Sequence, residues 1–300
     1  MIEILSRWWQ GVLASYVDFT NPEAVSWWSQ RLENLRSLGI DSFKFDAGEF
    51  NWLPSSILLN DQIPRQNWPA AFTTAYVEAV AKFGKMIEVR VGLRTQSHPI
   101  WVRMLDKDSH WGFDNGLKTL VTTLLQMSIS GYPFVLPDMI GGNGYGDNPL
   151  DESQIPSREL YIRWLQANVF MPSMQFSFVP WLYDQEVVNH AQEMIALRDQ
   201  YADTIVSLAQ NAVETGEPIN RPVWWSDPRD ETALRIEDQF MLGDEILVAP
   251  VLEEGRQSRD IYLPSGQWRD PSNDQIYQGP VWLEDYQADL FSLPYFTKKL

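Results

Sequence analysis

Up to about residue 216 the sequence alternates strand-like and helix-like stretches, and this limits the fold more than any other feature. Residues 11–19 (GVLASYVDF) read as a strand. Residues 21–39 read as a helix, with Asn21 as N-cap, Pro22 at the first helical position and Gly39 as the stop. The series continues with a strand at 40–46, a helix at 68–84, a strand at 86–92 and a helix at 114–131. A strand at 132–142, a helix at 157–171, an extended stretch at 172–178 and one or two helices over 184–216 complete it. Such alternation calls for right-handed βα units around a parallel sheet.

After Gly216 the pattern changes. INRPVWW, DQFMLGD, EILVAPVL, DIYLPSGQW and GPVWLED are short strand-like runs broken by Gly, Pro and Asp. They predict an all-β sandwich. The boundary falls near 214–218, giving a barrel region over 1–215 and a C-terminal β-sandwich over 216–300.

Charge and composition narrow the function. With 23 Lys and Arg against 40 Asp and Glu, the net charge of −17 repels nucleic acid and anionic lipid. Cysteine is absent, which removes disulfides, thiolate nucleophiles and Cys-ligated zinc. His98, His110 and His190 are widely spread and show no metal-binding spacing. No apolar run reaches transmembrane length, and MIEILSRWWQG is too short and too charged for a signal peptide. The 14 Trp suit core packing or stacking against a flat apolar face such as a sugar ring.

Polar residues gather at the strand ends. Asp46 closes the apolar-rich run GIDSFKFD, Arg90 lies in EVRVG, and Asp138 ends FVLPD. Asp106 follows in WVRMLDKDSHW, which reads as a loop. In a barrel of parallel strands these ends share one rim, where catalytic groups collect. Each has a plainer reading. Asp46 can cap a turn through Ala47 and Gly48, Asp138 can cap the turn into Met-Ile-Gly-Gly, and Asp106 or Asp108 can be solvated. Arg90 within a strand needs a carboxylate partner if buried. Trp8 and Trp9 suit either core packing or a sugar platform.

VDFTNPEAVSWW, FKFDAGE, RVG, LDKDSHW, LPDMIGG and YIRWLQ occur in an order that resembles glycoside hydrolase family 31. The likeness is greatest to its myogenesis-regulating-glycosidase-like branch and runs from RWWQG through DIYLPSGQWR. The resemblance implies a (β/α)8 TIM barrel, N-terminally incomplete in this chain, followed by a β-sandwich. It implies retaining hydrolysis of α-glycosides without a cofactor. Asp46 then stands at the nucleophile, Glu49 at a supporting acid, and Arg90 at the arginine that opens the family's RS motif.

The family's W-x-G-D-N acid/base signature is missing, and two positions compete for it. Asp114 sits in W-G-F-D-N, while Asp106 lies 16 residues after Arg90, with Ser109 and Trp111 following in the family's pattern. The offset favours Asp106, and Asp114 is expected to cap the helix it precedes. The Arg and His expected after P-x-M are replaced by Gln175 and Ser177 in PSMQFS. This departure, with the branch resembled, implies an α-galactosidase acting on a short oligosaccharide or glycoside. An α-glucosidase, an α-xylosidase and a non-catalytic carbohydrate-binding relative are the alternatives. Under this resemblance Trp9, Lys44, Arg90, Asp138, Gln175 and Ser177 are the substrate-binding candidates.

Overall fold

A computed structural model describes residues 6–8, 11–54, 57, 59–60, 63–144 and 154–299. Two compact units divide the chain, Met1–Arg103 and Met104–Leu300.

In the first unit, β1 (Ser6–Trp8) and β2 (Gly11–Ala14) pair antiparallel. The expected strand over 11–19 therefore stops early, and Asp18 instead turns the chain by accepting from the Thr20 backbone. Helix α1 (Pro22–Arg36) begins as its sequence dictates: the Asn21 side chain accepts from Glu23 N at 3.0 Å. Helix α2 (Ala70–Val80) buries Phe72, Tyr76, Val77 and Val80, and Phe19 packs its ring edge-on against Phe72 and Tyr76.

Three extended segments then lie side by side. Phe45 N donates to Glu88 O and Glu88 N to Phe43 O, so Lys44 and Glu88 form a parallel bridge. Strand β3 (Glu88–Val89) pairs in parallel with β4 (Trp101–Arg103), matching Glu88 with Trp101 and Val89 with Val102. The sequence reading placed 101–111 in a loop. The correction at 101–103 reflects β-branched and aromatic residues that only a neighbouring strand could reveal as a ladder. Side chains alternate faces along a strand. Phe45, Val89 and Val102 are buried in one layer, while Lys44, Glu88 and Trp101 stand level on the other face. Two residues further on, that same face carries Asp46, Arg90 and Arg103.

In the second unit α3 (Lys118–Ile129) comes first and β5 (Val135–Leu136) follows it. Helix α4 (Arg158–Asn168) starts at a Ser157 cap and is buried from Leu160 to Asn168. Helix α5 (Gln185–Gln200) starts at an Asp184 cap, and α6 (Ala202–Thr215) ends at Gly216 in the left-handed region, φ 80°. Their shared core includes Leu120, Leu124, Trp164, Leu165, Phe170 and Val187.

Six strands follow: β6 (Asn220–Arg221), β7 (Phe240–Leu242), β8 (Ile246–Val248), β9 (Ser258–Arg269), β10 (Ile276–Gln287) and β11 (Tyr295–Lys299). They form one antiparallel sheet in the order β10-β9-β11-β8-β7-β6, over a core containing Leu247, Ile261, Leu263, Trp268 and Phe296. Arg163 of α4 ties the helical part to this sheet, donating to the carbonyls of Arg256 and Ala288 at 2.9 and 3.0 Å. Burial lowers its pKa to about 10. No helix among the described residues is long and apolar enough to cross a membrane.

Candidate active site

In the first unit the chain turns sharply after Asp46. Ala47 and Gly48 both take positive φ, 61° and 95°, and a Cβ on Gly48 would collide with the Tyr76 ring. Tyr76 Oη donates to Asp46 O at 2.9 Å and Thr73 Oγ1 to Gly48 O at 2.8 Å, so α2 fixes the turn from below. Burial, reinforced by the charges of Asp46 and Glu49, pushes the Tyr76 phenol well above its ordinary pKa. It is therefore a permanent donor. The side chain of Asp46 itself is 49% exposed.

The register of the three segments produces an alternating row of charges. Asp46 Oδ1 lies 3.0 Å from Arg103 Nη2 and 3.4 Å from Arg90 Nε. Arg90 Nε is also 2.5 Å from Glu49 Oε1, and Arg103 Nε is 2.9 Å from Glu88 Oε1. Lys44 Nζ stands 3.5 Å from that same Glu88 oxygen. The two guanidiniums are only 8% and 3% exposed, so each needs the carboxylates on either side of it. Arg103 was not singled out by sequence reasoning. Its spacing two residues beyond the strand residue that pairs with Glu88 was the available signal, but the strand had gone unread.

The second unit holds Asp106 on a short, braced loop. Asn115, at φ 80°, donates through Nδ2 to Asp106 O at 2.7 Å and to Asp108 Oδ2 at 3.2 Å. Asp138 is fully buried at φ 62°, and its Oδ2 accepts from Lys107 N and Asn143 Nδ2, both at 2.7 Å. Asn143 also donates to Lys107 O, from backbone N and from Nδ2, each at 2.9 Å. A Cβ on Gly142 would come within 2.8 Å of Ser109 N, so glycine lets the two loops close on each other.

Lys107 sends its ammonium inward, to Thr119 Oγ1 at 2.8 Å and Thr123 Oγ1 at 3.0 Å on α3. Burial lowers its pKa to about 8, against the opposing pull of Asp138 and Asp108.

The remaining expectations fall out unevenly. Asp114 does not cap α3, which is a correction. The cap position is Leu117, and Asp114 is exposed with Oδ1 3.4 Å from His110 Nδ1. The physical reason lies in the backbone: Leu117 N and Lys118 N donate to the carbonyls of His110 and Trp111, leaving no first-turn donor that needs a side chain. Gln175 forms a parallel bridge with Met139, and its Oε1 is buried with no partner among the described residues. Ser177 is exposed. Trp9 lies outside the described residues.

Comparison with known proteins agrees with this arrangement of parts. The model for the glycosyl hydrolases family 31 TIM-barrel domain matches residues 3–208, and that for the family 31 C-terminal domain matches 216–299. The chain is 46% identical over 297 residues to a myogenesis-regulating glycosidase of Mus musculus, across 98% of this chain. It is 32% identical to a SITS-binding protein of Tetronarce californica, across 97% of this chain. The chain spans 41% of the length of each. Among solved structures, a family 31 α-xylosidase from a soil metagenome, complexed with xylose, matches with a TM-score of 0.83 at 26% identity. That match covers 98% of this chain and 48% of the xylosidase chain.

Proposed function

The chain belongs to glycosyl hydrolase family 31, a family of glycoside hydrolases with a TIM-barrel domain and a C-terminal β domain, and on that premise we propose that it hydrolyses α-linked glycosides with retention. Asp46 is the nucleophile and Asp106 the acid/base. The observation that carries this reading is the setting of Asp46: a half-exposed carboxylate at the end of an extended segment, with one oxygen facing two buried guanidiniums. Charge-assisted contacts to that one oxygen hold the carboxylate in place while the group stays reachable, as a nucleophile must be.

In the first step Asp46 attacks the anomeric carbon while Asp106 protonates the departing oxygen. Asp106 then takes a proton from water, which attacks the same carbon and frees Asp46. Retention requires the two carboxyl groups to stand about 5–5.5 Å apart around the bond. The bracing at Asp138, Asn143 and Asn115 supports a fixed position for Asp106. The barrel portion is assigned to 1–215 and the sheet domain to 216–300.

The sugar is an α-galactoside. Support comes from Gln175 and Ser177 in place of the family's Arg and His. Exposed Lys44 and buried Arg90 bracket Asp46 as further contacts for hydroxyl oxygens. The test is a panel of nitrophenyl α-glycosides of galactose, glucose and xylose, with the product anomer followed by NMR. Galactoside cleavage with α-galactose released first supports the proposal. No cleavage of any α-glycoside, or β-anomer released first, contradicts it.

A further inference from the structure

A carboxylate has two oxygens that rotation about its last bond can exchange, and a nucleophile works fastest when one of them is already aimed. Here two guanidiniums from two different segments meet the same oxygen. Arg103 Nη2 lies 3.0 Å from Asp46 Oδ1, and Arg90 Nε lies 3.4 Å from it. Turning the carboxylate over would exchange the oxygen held at both contacts, in a place where charge-assisted bonds are strong.

The two arginines are not equivalent. Arg90 makes its short contact, 2.5 Å, with Glu49, while Arg103 makes its contact with Asp46 and anchors its other side on Glu88 at 2.9 Å. Glu88 is level with Lys44 in the parallel bridge and within 3.5 Å of its ammonium. The guanidinium of Arg103 is planar and bridges two acids 42 residues apart in sequence, Asp46 and Glu88, as a single-point lysine cannot.

We propose that Arg103 is a positioning residue that holds Asp46 Oδ1 and thereby makes Oδ2 the oxygen that attacks the anomeric carbon. The inference rests on the reading of Asp46 as nucleophile. In the step, Oδ2 bonds to the anomeric carbon as that carbon's bond to the leaving oxygen breaks. The electron pair departs with the leaving oxygen, which takes the proton of Asp106. Asp46 becomes an ester whose carbonyl oxygen is Oδ1, still facing both guanidiniums. Its negative charge has gone while theirs remain, and this imbalance favours return of the carboxylate when water displaces it. Arg103 thus serves both steps without touching the sugar.

The test is labelling by a 5-fluoro-α-galactosyl fluoride, which forms the ester and releases it slowly, with the labelled peptide found by mass spectrometry. Three proteins are compared: the wild type, Arg103→Lys, and the double variant Arg103→Met with Glu88→Gln, which removes a charge of each sign. Label on wild-type Asp46 upholds the nucleophile; label on another residue overturns that reading and this inference with it. Given label on Asp46, both variants should label about 100-fold more slowly while binding free galactose as tightly as the wild type. Added guanidinium ion should restore part of the rate in the double variant. Labelling within about twofold of wild type in folded Arg103→Lys overturns the positioning role alone and leaves the nucleophile standing. Arg103→Lys keeps the charge opposite Glu88, so it decides the matter if the double variant does not fold.

Discussion

The segments that carry Asp46 and Asp106 are held by different devices. Around Asp46 the contacts run through charged side chains, in a row from Lys44 through Glu88, Arg103 and Arg90 to Glu49. Around Asp106 the loop is braced at main-chain atoms: its own carbonyl, and the N–H and carbonyl of Lys107, are each met by an Asn or Asp side chain. The difference suits the two tasks. A nucleophile keeps its charge until it bonds, so fixed cations can aim it. An acid/base changes charge at each step, and a brace on the backbone positions it without depending on that charge.

The largest effect that can break the comparison is at the nucleophile. Asp46→Asn should reduce hydrolysis of a nitrophenyl α-galactoside to background while the protein still folds and binds sugar. Hydrolysis near the wild-type rate by pure variant would remove Asp46 from its role.

Asp106→Ala comes next. General acid catalysis contributes about 10²–10⁴-fold, most of it with poor leaving groups. Formation of the glycosyl ester from an activated aryl galactoside should therefore survive far better than cleavage of a disaccharide, and azide should accelerate turnover by replacing the activated water. Azide acceleration in Asp114→Ala and not in Asp106→Ala would transfer the role to Asp114.

The tie from this loop to α3 is tested through the Lys107 ammonium, whose pKa is about 8 in the fold against an ordinary 10.5. Between those values the unfolded chain binds more protons than the folded one, so stability should rise with pH across that window. Chemical denaturation should show the rise in the wild type, and a matching rise in Lys107→Met would place its origin elsewhere.

The smallest effect belongs to Asp114. Because it is exposed and caps no helix, Asp114→Ala should change stability by less than about 0.5 kcal/mol. A loss of roughly 1–2 kcal/mol would mean that the side chain caps α3 after all.

What was legible in the sequence follows from how local each device is. Helices α1 and α4, and the outer ends of the span that holds α5 and α6, carry their signals within a few residues, in Asn21, Ser157, Asp184 and Gly216, whereas the sequence leaves one helix or two open over 184–216. The extended run that ends at Asp46 was readable from its own apolar residues, although only Lys44 in it bridges a neighbouring segment instead of forming the expected strand over 40–46. Strand β4 has three residues before a charged stretch, and its ladder partner, β3, lies a dozen residues earlier. The start of α3 was misread because backbone carbonyls of the preceding turn occupy its free N–H groups. Arg103 went unseen for the same reason as β4: its meaning depends on Asp46, 57 residues away.

The central claim, that Asp46 attacks and Asp106 passes the proton, is tested most directly by the anomer of the azide each variant makes. Asp106→Ala, given azide and an activated aryl α-galactoside, should yield the α-galactosyl azide, because azide opens a β-linked ester on Asp46. Asp46→Gly, given azide and α-galactosyl fluoride, should yield the β-galactosyl azide, because azide then takes the place of the missing carboxylate. Opposite anomers from the two variants, in that assignment, are the predicted result. The same anomer from both, or the reverse assignment, would contradict it.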